Sequence, residues 1–277
     1  MPTTLIVGAT RGLGAALAQA YAQAGHTVYA TARSATAPSS PSHANITWIP
    51  GIDISTEGAG PALASALPVH TILDIVVICA GYFEKETLED VKWGEEIKMY
   101  TTCAVGPVCV VQALVAAGKI KTAIASASAP ALGKGEAAQG GKLVLISSEA
   151  GSITLRHDAE GGGNYAHHGG KAALNMVGKL LSLDLKARGV AVGIVHPGFM
   201  RTDMTKNVGY DAYWDSGGAV PPATAAASLL AFVDSSITLE RSGEFWAPRG
   251  VRDIGTAEAV LGPNFPADRD APLQLPW

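Results

Sequence analysis

The stretch Thr3-Thr4-Leu5-Ile6-Val7-Gly8-Ala9-Thr10-Arg11-Gly12-Leu13-Gly14 decides the fold of this chain. An apolar run at 5–7 passes straight into three glycines and then into an alanine-rich segment, 15–24, of helical composition. A strand that turns through glycines into a helix presents open backbone N–H groups and a helix N-terminus to an anion. The pyrophosphate of a dinucleotide suits such a turn, with Gly8, Thr10, Arg11, Gly12, Leu13 and Gly14 around it. Glycine supplies positive φ and leaves room where a Cβ would strike a phosphate. The spacing is G-x-x-x-G-x-G, not G-x-G-x-x-G, and so selects a subset of nucleotide-binding folds.

Working outward, further apolar runs fall at 27–31, 46–49, 75–78, 143–146 and 190–195, with another at 243–247. Helical segments lie between and after them at 60–66, 92–100 continuing to 116, 165–187 and 222–232. Unbroken Val/Ile runs fit parallel strands buried on both faces. The alternation predicts an α/β fold: a single Rossmann-type doubly wound parallel sheet with helices on both faces. Its ligands belong at the C-terminal edge of the strands. One domain is expected over 1–277, with a substrate lid at about 203–221. The Ala-, Ser- and Gly-rich segment 123–141 reads as a surface excursion, and 251–274 as a long C-terminal loop.

Composition narrows the function. With 277 residues, 48% hydrophobic and 16% charged, the chain suits one large core with few solvated helices. A net charge of −4 without basic clusters argues against nucleic acid as a partner. No signal segment precedes the first strand, and no uninterrupted apolar run is long enough for a bilayer, so no membrane partner is expected. Cys79, Cys103 and Cys109 sit in apolar surroundings without metal-type spacing. They read as free thiols in a reducing, cytoplasmic compartment, with no metal site.

The second run ends Tyr29-Ala30-Thr31-Ala32-Arg33. An acid at this edge favours NAD, whereas arginine accommodates the 2′-phosphate of NADP. Arg33 and Arg11 therefore point to NADP(H). Asp53, followed by Ile54, is placed to meet the adenine amino group or else to cap a helix.

Later motifs complete a pattern. Cys79-Ala80-Gly81, Ile146-Ser147-Ser148, Lys171-Ala172-Ala173-Leu174-Asn175 and His196-Pro197-Gly198-Phe199-Met200-Arg201-Thr202-Asp203-Met204 occur in order. With Ser242-Gly243-Glu244-Phe245 and Leu275-Pro276-Trp277, the chain resembles the short-chain dehydrogenase/reductase family nearly end to end. The likeness is strongest to its C-factor-like subgroup. The resemblance implies cofactor contacts from Ala80, Gly81, Lys171, Pro197, Gly198, Met200 and Thr202, and catalysis by an Asn–Ser–Tyr–Lys set. Ser148 and Lys171 match that set. Cys103 stands at the asparagine position and His167 at the tyrosine position, four residues before Lys171. Four residues are about one helical turn, so His167 and Lys171 face one cleft. Tyr165 lies about 200° round the axis and cannot take the role.

Nearby cations disfavour imidazolium, so His167 is expected neutral at pH 7, a usable base and a poor acid. The substrate side gathers Tyr82, Phe83, Ile153, Leu155, Tyr210, Tyr213 and Trp214, which suits a neutral hydrophobic small molecule such as a secondary metabolite. Three readings stay open. One is an NADP(H)-dependent oxidoreductase acting on a carbonyl or alcohol. Another is an NADP-binding isomerase, eliminase or cyclase with His167 as base, and the third a non-catalytic signalling protein. Small residues along 92–116 and 165–187, with the resemblance, lead to the expectation of a homodimer or homotetramer.

Overall fold

A computed structural model describes residues 1–123, 140–254, 260, 262 and 268–277. Its strands are β1 (Thr3–Val7), β2 (Thr27–Thr31), β3 (Ile46–Ile49), β4 (Ile75–Ile78), β5 (Lys142–Ile146), β6 (Ala191–Val195), β7 (Glu244–Ala247) and β8 (Leu273–Gln274). They form one sheet in the order β3-β2-β1-β4-β5-β6-β7-β8. Every pairing is parallel except that of β7 with β8. β4 and β6 are buried along their whole length, as continuous Val/Ile runs require.

The helices are α1 (Gly12–Gln23), α2 (Ala59–Ala66), α3 (Trp93–Tyr100), α4 (Gly106–Ala116), α5 (Tyr165–Lys186), α6 (Asp203–Asn207) and α7 (Pro222–Ser236). Two apolar layers flank the sheet. One joins it to α2, α4 and α5 through Leu63, Val110, Leu114 and Leu174. The other joins it to α1 and α7 through Leu17, Tyr21, Leu229 and Phe232. The doubly wound arrangement thus follows from which helix faces carry the apolar residues.

The structure corrects the sequence reading in four places. The helix expected over 92–116 is interrupted: Thr101–Val105 forms a π-helical turn between α3 and α4. The run Trp93–Ala116 is, by length and composition, apolar enough to cross a membrane, contrary to expectation, although half of its most apolar stretch packs inside the fold. The segment expected as a C-terminal loop contains a 3₁₀ turn at Gly250–Asp253 and supplies β8. Cys109 is exposed, whereas Cys103 is buried. Residues 124–139 of the expected excursion lie outside the described residues. Its ends are tied to the turn before β6 by Ala123 N–H donating to the Arg188 carbonyl and Gly140 N–H to that of Gly189, both at 2.8 Å.

Candidate active site

β1 delivers the glycine turn to the C-terminal edge of the sheet. Gly8 has φ +87°, and a Cβ there would stand 2.6 Å from the Ala80 Cα. A Cβ on Gly14 would stand 2.0 Å from the Gly8 carbonyl oxygen, so the turn closes only with glycine at both places. Gly8 N–H donates to Thr31 Oγ1 at 2.9 Å and Ala9 N–H to the Thr31 carbonyl at 3.1 Å, fixing the turn to β2. α1 begins at Gly12, earlier than its alanines suggest, and carries no acid in its first turn. Its N-terminus is therefore open to an anion.

Thr10, Arg11 and Arg33 are exposed around this turn. Neither arginine makes an ion pair among the described residues. Leu13 and Ile54 bury their side chains in the core, at 5% and 4% exposure, which leaves only their backbone for a ligand. Asp53 Oδ1 accepts from Ser55 N–H at 3.0 Å and from Ser55 Oγ–H at 2.7 Å. That carboxylate braces a local turn. It does not cap α2, whose cap position is Gly58.

β5 delivers Ser147 and Ser148. Ser148 Oγ accepts from Ala150 N–H at 3.2 Å, which leaves its own proton to donate elsewhere. Ser147 Oγ donates to Asn175 Oδ1 at 2.5 Å, and Asn175 Nδ2 donates to the Gly151 carbonyl at 3.2 Å. Lys171, 7% exposed, donates from Nζ to the Ile146 carbonyl at 2.8 Å. A Cβ on Gly81 would lie 3.8 Å from the same Nζ. Lys171 therefore sits between the ends of β4 and β5, with Ser148 two residues beyond its acceptor. His167, Lys171 and Asn175 lie at successive turns of α5 and share a face. The bracing role of Asn175 escaped the sequence reading, although its offset of four from Lys171 was the available signal.

His167 is half-buried, and its Nδ1 is enclosed without a hydrogen-bond partner among the described residues. Its ring stacks on Phe83, with centroids 4.0 Å apart and planes 28° off parallel. Burial, then the Lys171 ammonium, His168 and Arg156, hold its pKa well below the usual histidine range. That direction favours the neutral imidazole over the imidazolium. Cys103, at the π-helical turn, is 1% exposed and directs Sγ to the Tyr82 carbonyl at 3.6 Å. Burial pushes the Cys79 thiol up to about 12 against the opposing influence of Lys171, so it stays protonated.

Rings continue outward from His167. Phe83 meets Tyr210 edge-on at 5.9 Å, and Tyr210 meets Tyr213 at 6.5 Å. Asn164 Nδ2 donates to the Tyr210 hydroxyl at 3.3 Å, tying the expected lid to the start of α5. Trp214 Nε1–H donates to Thr205 Oγ1 at 3.1 Å, and Thr202 Oγ1 caps α6 by accepting from Thr205 N–H at 3.3 Å. Other substrate-side expectations need correction. Leu155 is fully buried in a separate core cluster with Ile194 and Phe245, and Ile153 is 79% exposed. Tyr82 is committed to α3: its hydroxyl donates to Glu95 at 2.6 Å, and Lys98 Nζ lies 3.7 Å from its ring centroid.

The turn after β6 is also braced. His196 Nδ1 accepts from Glu149 N–H at 3.1 Å, and its Nε2 meets the Asp253 carbonyl at 2.9 Å. This single side chain joins the turn after Ser148, the Pro197-Gly198 turn and the C-terminal segment. Its partners lie 47 and 57 residues away in the chain, so no local pattern announces this role.

Residues 2–212 match the family model described as short chain dehydrogenase. The chain belongs to the short chain dehydrogenase family. Among curated short chain dehydrogenase relatives, it is 29% identical over 247 residues to 1-hydroxy-2-glutathionyl-2-methyl-3-butene dehydrogenase of Rhodococcus sp. (strain AD45), covering 88% of this chain and 96% of that protein. It is also 29% identical over 163 residues to the C-signal protein of Myxococcus xanthus, covering 59% and 80% of the two chains. Among solved structures, the NADPH-bound carbonyl reductase from chicken fatty liver superposes with a TM-score of 0.71 at 20% identity. That match covers 90% of this chain and 96% of the other. The likeness agrees with the Rossmann-type sheet.

Proposed function

We propose that this short chain dehydrogenase is an NADP(H)-dependent oxidoreductase acting on a neutral hydrophobic alcohol or carbonyl, with His167 handling the proton. The observation that carries this reading is the buried Lys171 ammonium, held by Ile146 with His167 one helical turn before it. Open N–H groups at Gly12–Gly14 fit the pyrophosphate, and unpaired Arg11 and Arg33 fit a 2′-phosphate. The NADPH-bound chicken reductase adds support.

Bound NADP(H) supplies or accepts the hydride. Lys171 spends one N–H on Ile146 and keeps two for ribose hydroxyls. Ser148 donates its free O–H to the substrate oxygen. Neutral His167 takes the hydroxyl proton of an alcohol as the carbonyl forms. In the opposite direction it is a poor donor, because the cations around it resist the imidazolium it would start from. Alcohol oxidation is the direction this site handles better at neutral pH.

The neutral imidazole also favours a second reading, non-redox base chemistry beside a cofactor that is not turned over. Incubating the protein with NADP(H) and panels of alcohols and ketones, while following absorbance of reduced nicotinamide, separates the two. Turnover with alcohols supports the oxidoreductase. Cofactor binding without any absorbance change across both panels overturns it.

Assembly as a homodimer fits two exposed apolar stripes, Trp93, Ile97 and Tyr100 on α3 and Met176, Leu180 and Leu183 on α5. Three cysteines without a disulfide fit a reducing, cytoplasmic setting.

A further inference from the structure

Glu86 is a carboxyl-bearing residue that the reaction above does not use, yet it is 4% exposed beside α5. Its Oε2 accepts the backbone N–H of Ala166 at 2.9 Å, the residue immediately before His167. Its backbone is fastened to the same turn: Asn164 N–H donates to the Glu86 carbonyl at 3.0 Å, and Glu86 N–H to Asn164 Oδ1 at 3.3 Å. Glu86 Oε1 is enclosed without a partner among the described residues. Glu96, half-exposed on α3, likewise encloses its Oε1. The one group that acts on Glu96 is Glu86, through a side-chain hydrogen bond, which sets the two enclosed oxygens against each other. Carboxyl groups so placed cannot both ionise cheaply, and one retained proton lets them bond.

We infer that Glu86 is a positioning residue for His167, held against the first turn of α5 through a proton shared with Glu96. Its catalytic consequence rests on the reading of His167 given above; the latch itself does not.

The neighbouring charges leave the pair to itself. On α3, Lys98 pairs with Glu95 at 3.7 Å. Lys92, just before that helix, pairs with Asp90 at 3.2 Å. In the preceding loop, Glu84 lies near the Tyr82 hydroxyl and Lys85 lies over the Tyr210 ring. On α5, His167 faces Phe83, and His168 Nδ1 meets the Asn164 carbonyl at 2.9 Å. Among the described residues no cation pairs with Glu86 or Glu96, so the proton has no substitute. Contact with Glu86, followed by burial, pushes Glu96 up to about 7. Above that pH Glu96 ionises, is repelled towards solvent and frees Glu86. The loop that carries Phe83 three residues earlier then loosens over His167.

Amide hydrogen exchange of the full-length protein with NADPH, read at Ala166 as a protection factor across pH 5–9, tests this directly. Wild type is expected to lose protection through an inflection near 7, by about tenfold to a hundredfold, which is what a hydrogen bond to a charged group is worth. Glu96→Gln donates permanently to Glu86 and should remain protected with no inflection. Glu86→Gln still accepts from Ala166 and should keep protection at low pH, also without the inflection. An inflection that survives unchanged in Glu96→Gln and Glu86→Gln overturns the latch. Turnover of His167→Ala is measured alongside. If that variant keeps full activity while the exchange pattern is as expected, the function assigned to His167 fails and the latch stands.

Discussion

Lys171 gives one of its N–H bonds to the Ile146 carbonyl, 2.8 Å away, at the last residue of the strand that delivers Ser148. The bond sets the height of the ammonium relative to the serine and ties α5 to the end of β5. Replacing Lys171 with Met keeps the packing and removes the donor. Stability should fall by about 1–3 kcal/mol, the cost of leaving a buried acceptor unpaired. NADPH affinity should fall at least about tenfold as the ribose contacts go. Denaturant titration and calorimetry of Lys171→Met measure both.

Cofactor choice follows from Arg11 and Arg33, whose guanidiniums make no ion pair among the described residues. NADPH should bind more tightly than NADH, and Arg33→Ala should reduce that preference by about tenfold to a hundredfold, the worth of one charge-assisted bond to phosphate. Equal affinities of wild type for the two cofactors in calorimetry would count against the assignment.

The neutral state of His167 predicts two pH dependences with the same origin. Activity should rise with pH through an apparent pKa below about 6.5, as the imidazole becomes free to accept a proton, and decline again above about 7 as the Glu86–Glu96 latch loosens. Because the folded pKa lies below the unfolded one, the unfolded chain binds the extra proton first on acidification. This residue's contribution to stability is therefore complete above about 6.5 and is lost as pH falls towards the folded pKa. His167→Phe should flatten the melting temperature below that pH. His167→Ala should lower kcat by about 10²–10⁴ while sparing NADPH binding. Turnover of His167→Ala within a factor of about two of wild type would remove His167 from the mechanism.

Gly14 offers a purely steric test. A methyl group 2.0 Å from the Gly8 carbonyl oxygen must push α1 away from the turn. Gly14→Ala should lower stability by about 1–3 kcal/mol, as overpacking does, and weaken NADPH more than the fold loss alone explains. Equal NADPH affinity in a folded Gly14→Ala would show that the turn does not touch the cofactor.

Sequence alone carried the sheet a long way, because its parallel strands are unbroken apolar runs and glycine, arginine and serine positions sit at their ends. What it missed has physical causes. Leu155 reads like a pocket residue by its distance from Ser148, but only the tertiary path decides that it packs on Phe245. Tyr82 is aromatic in the right place, yet Glu95 and Lys98 on α3 claim it. β8 is two residues long and pairs with β7 across the chain, so no local period announces it. His196 and Asn175 act through hydrogen bonds to groups distant in sequence; the offset of Asn175 from Lys171 gives its helix face but not those partners.

The π-helical turn at Thr101–Val105 bears on how this chain can change over generations. One residue added to or removed from a helix turns everything beyond it by about 100°. Here that rotation would swing α4 off α2 and carry Gly106 away from the Ile54 carbonyl, which a Cβ at Gly106 would approach to 2.1 Å. Insertions and deletions that surface loops absorb freely would at this point re-index two faces at once. Lineages descending from this chain should vary in residue identity across 101–105 long before they vary in its length.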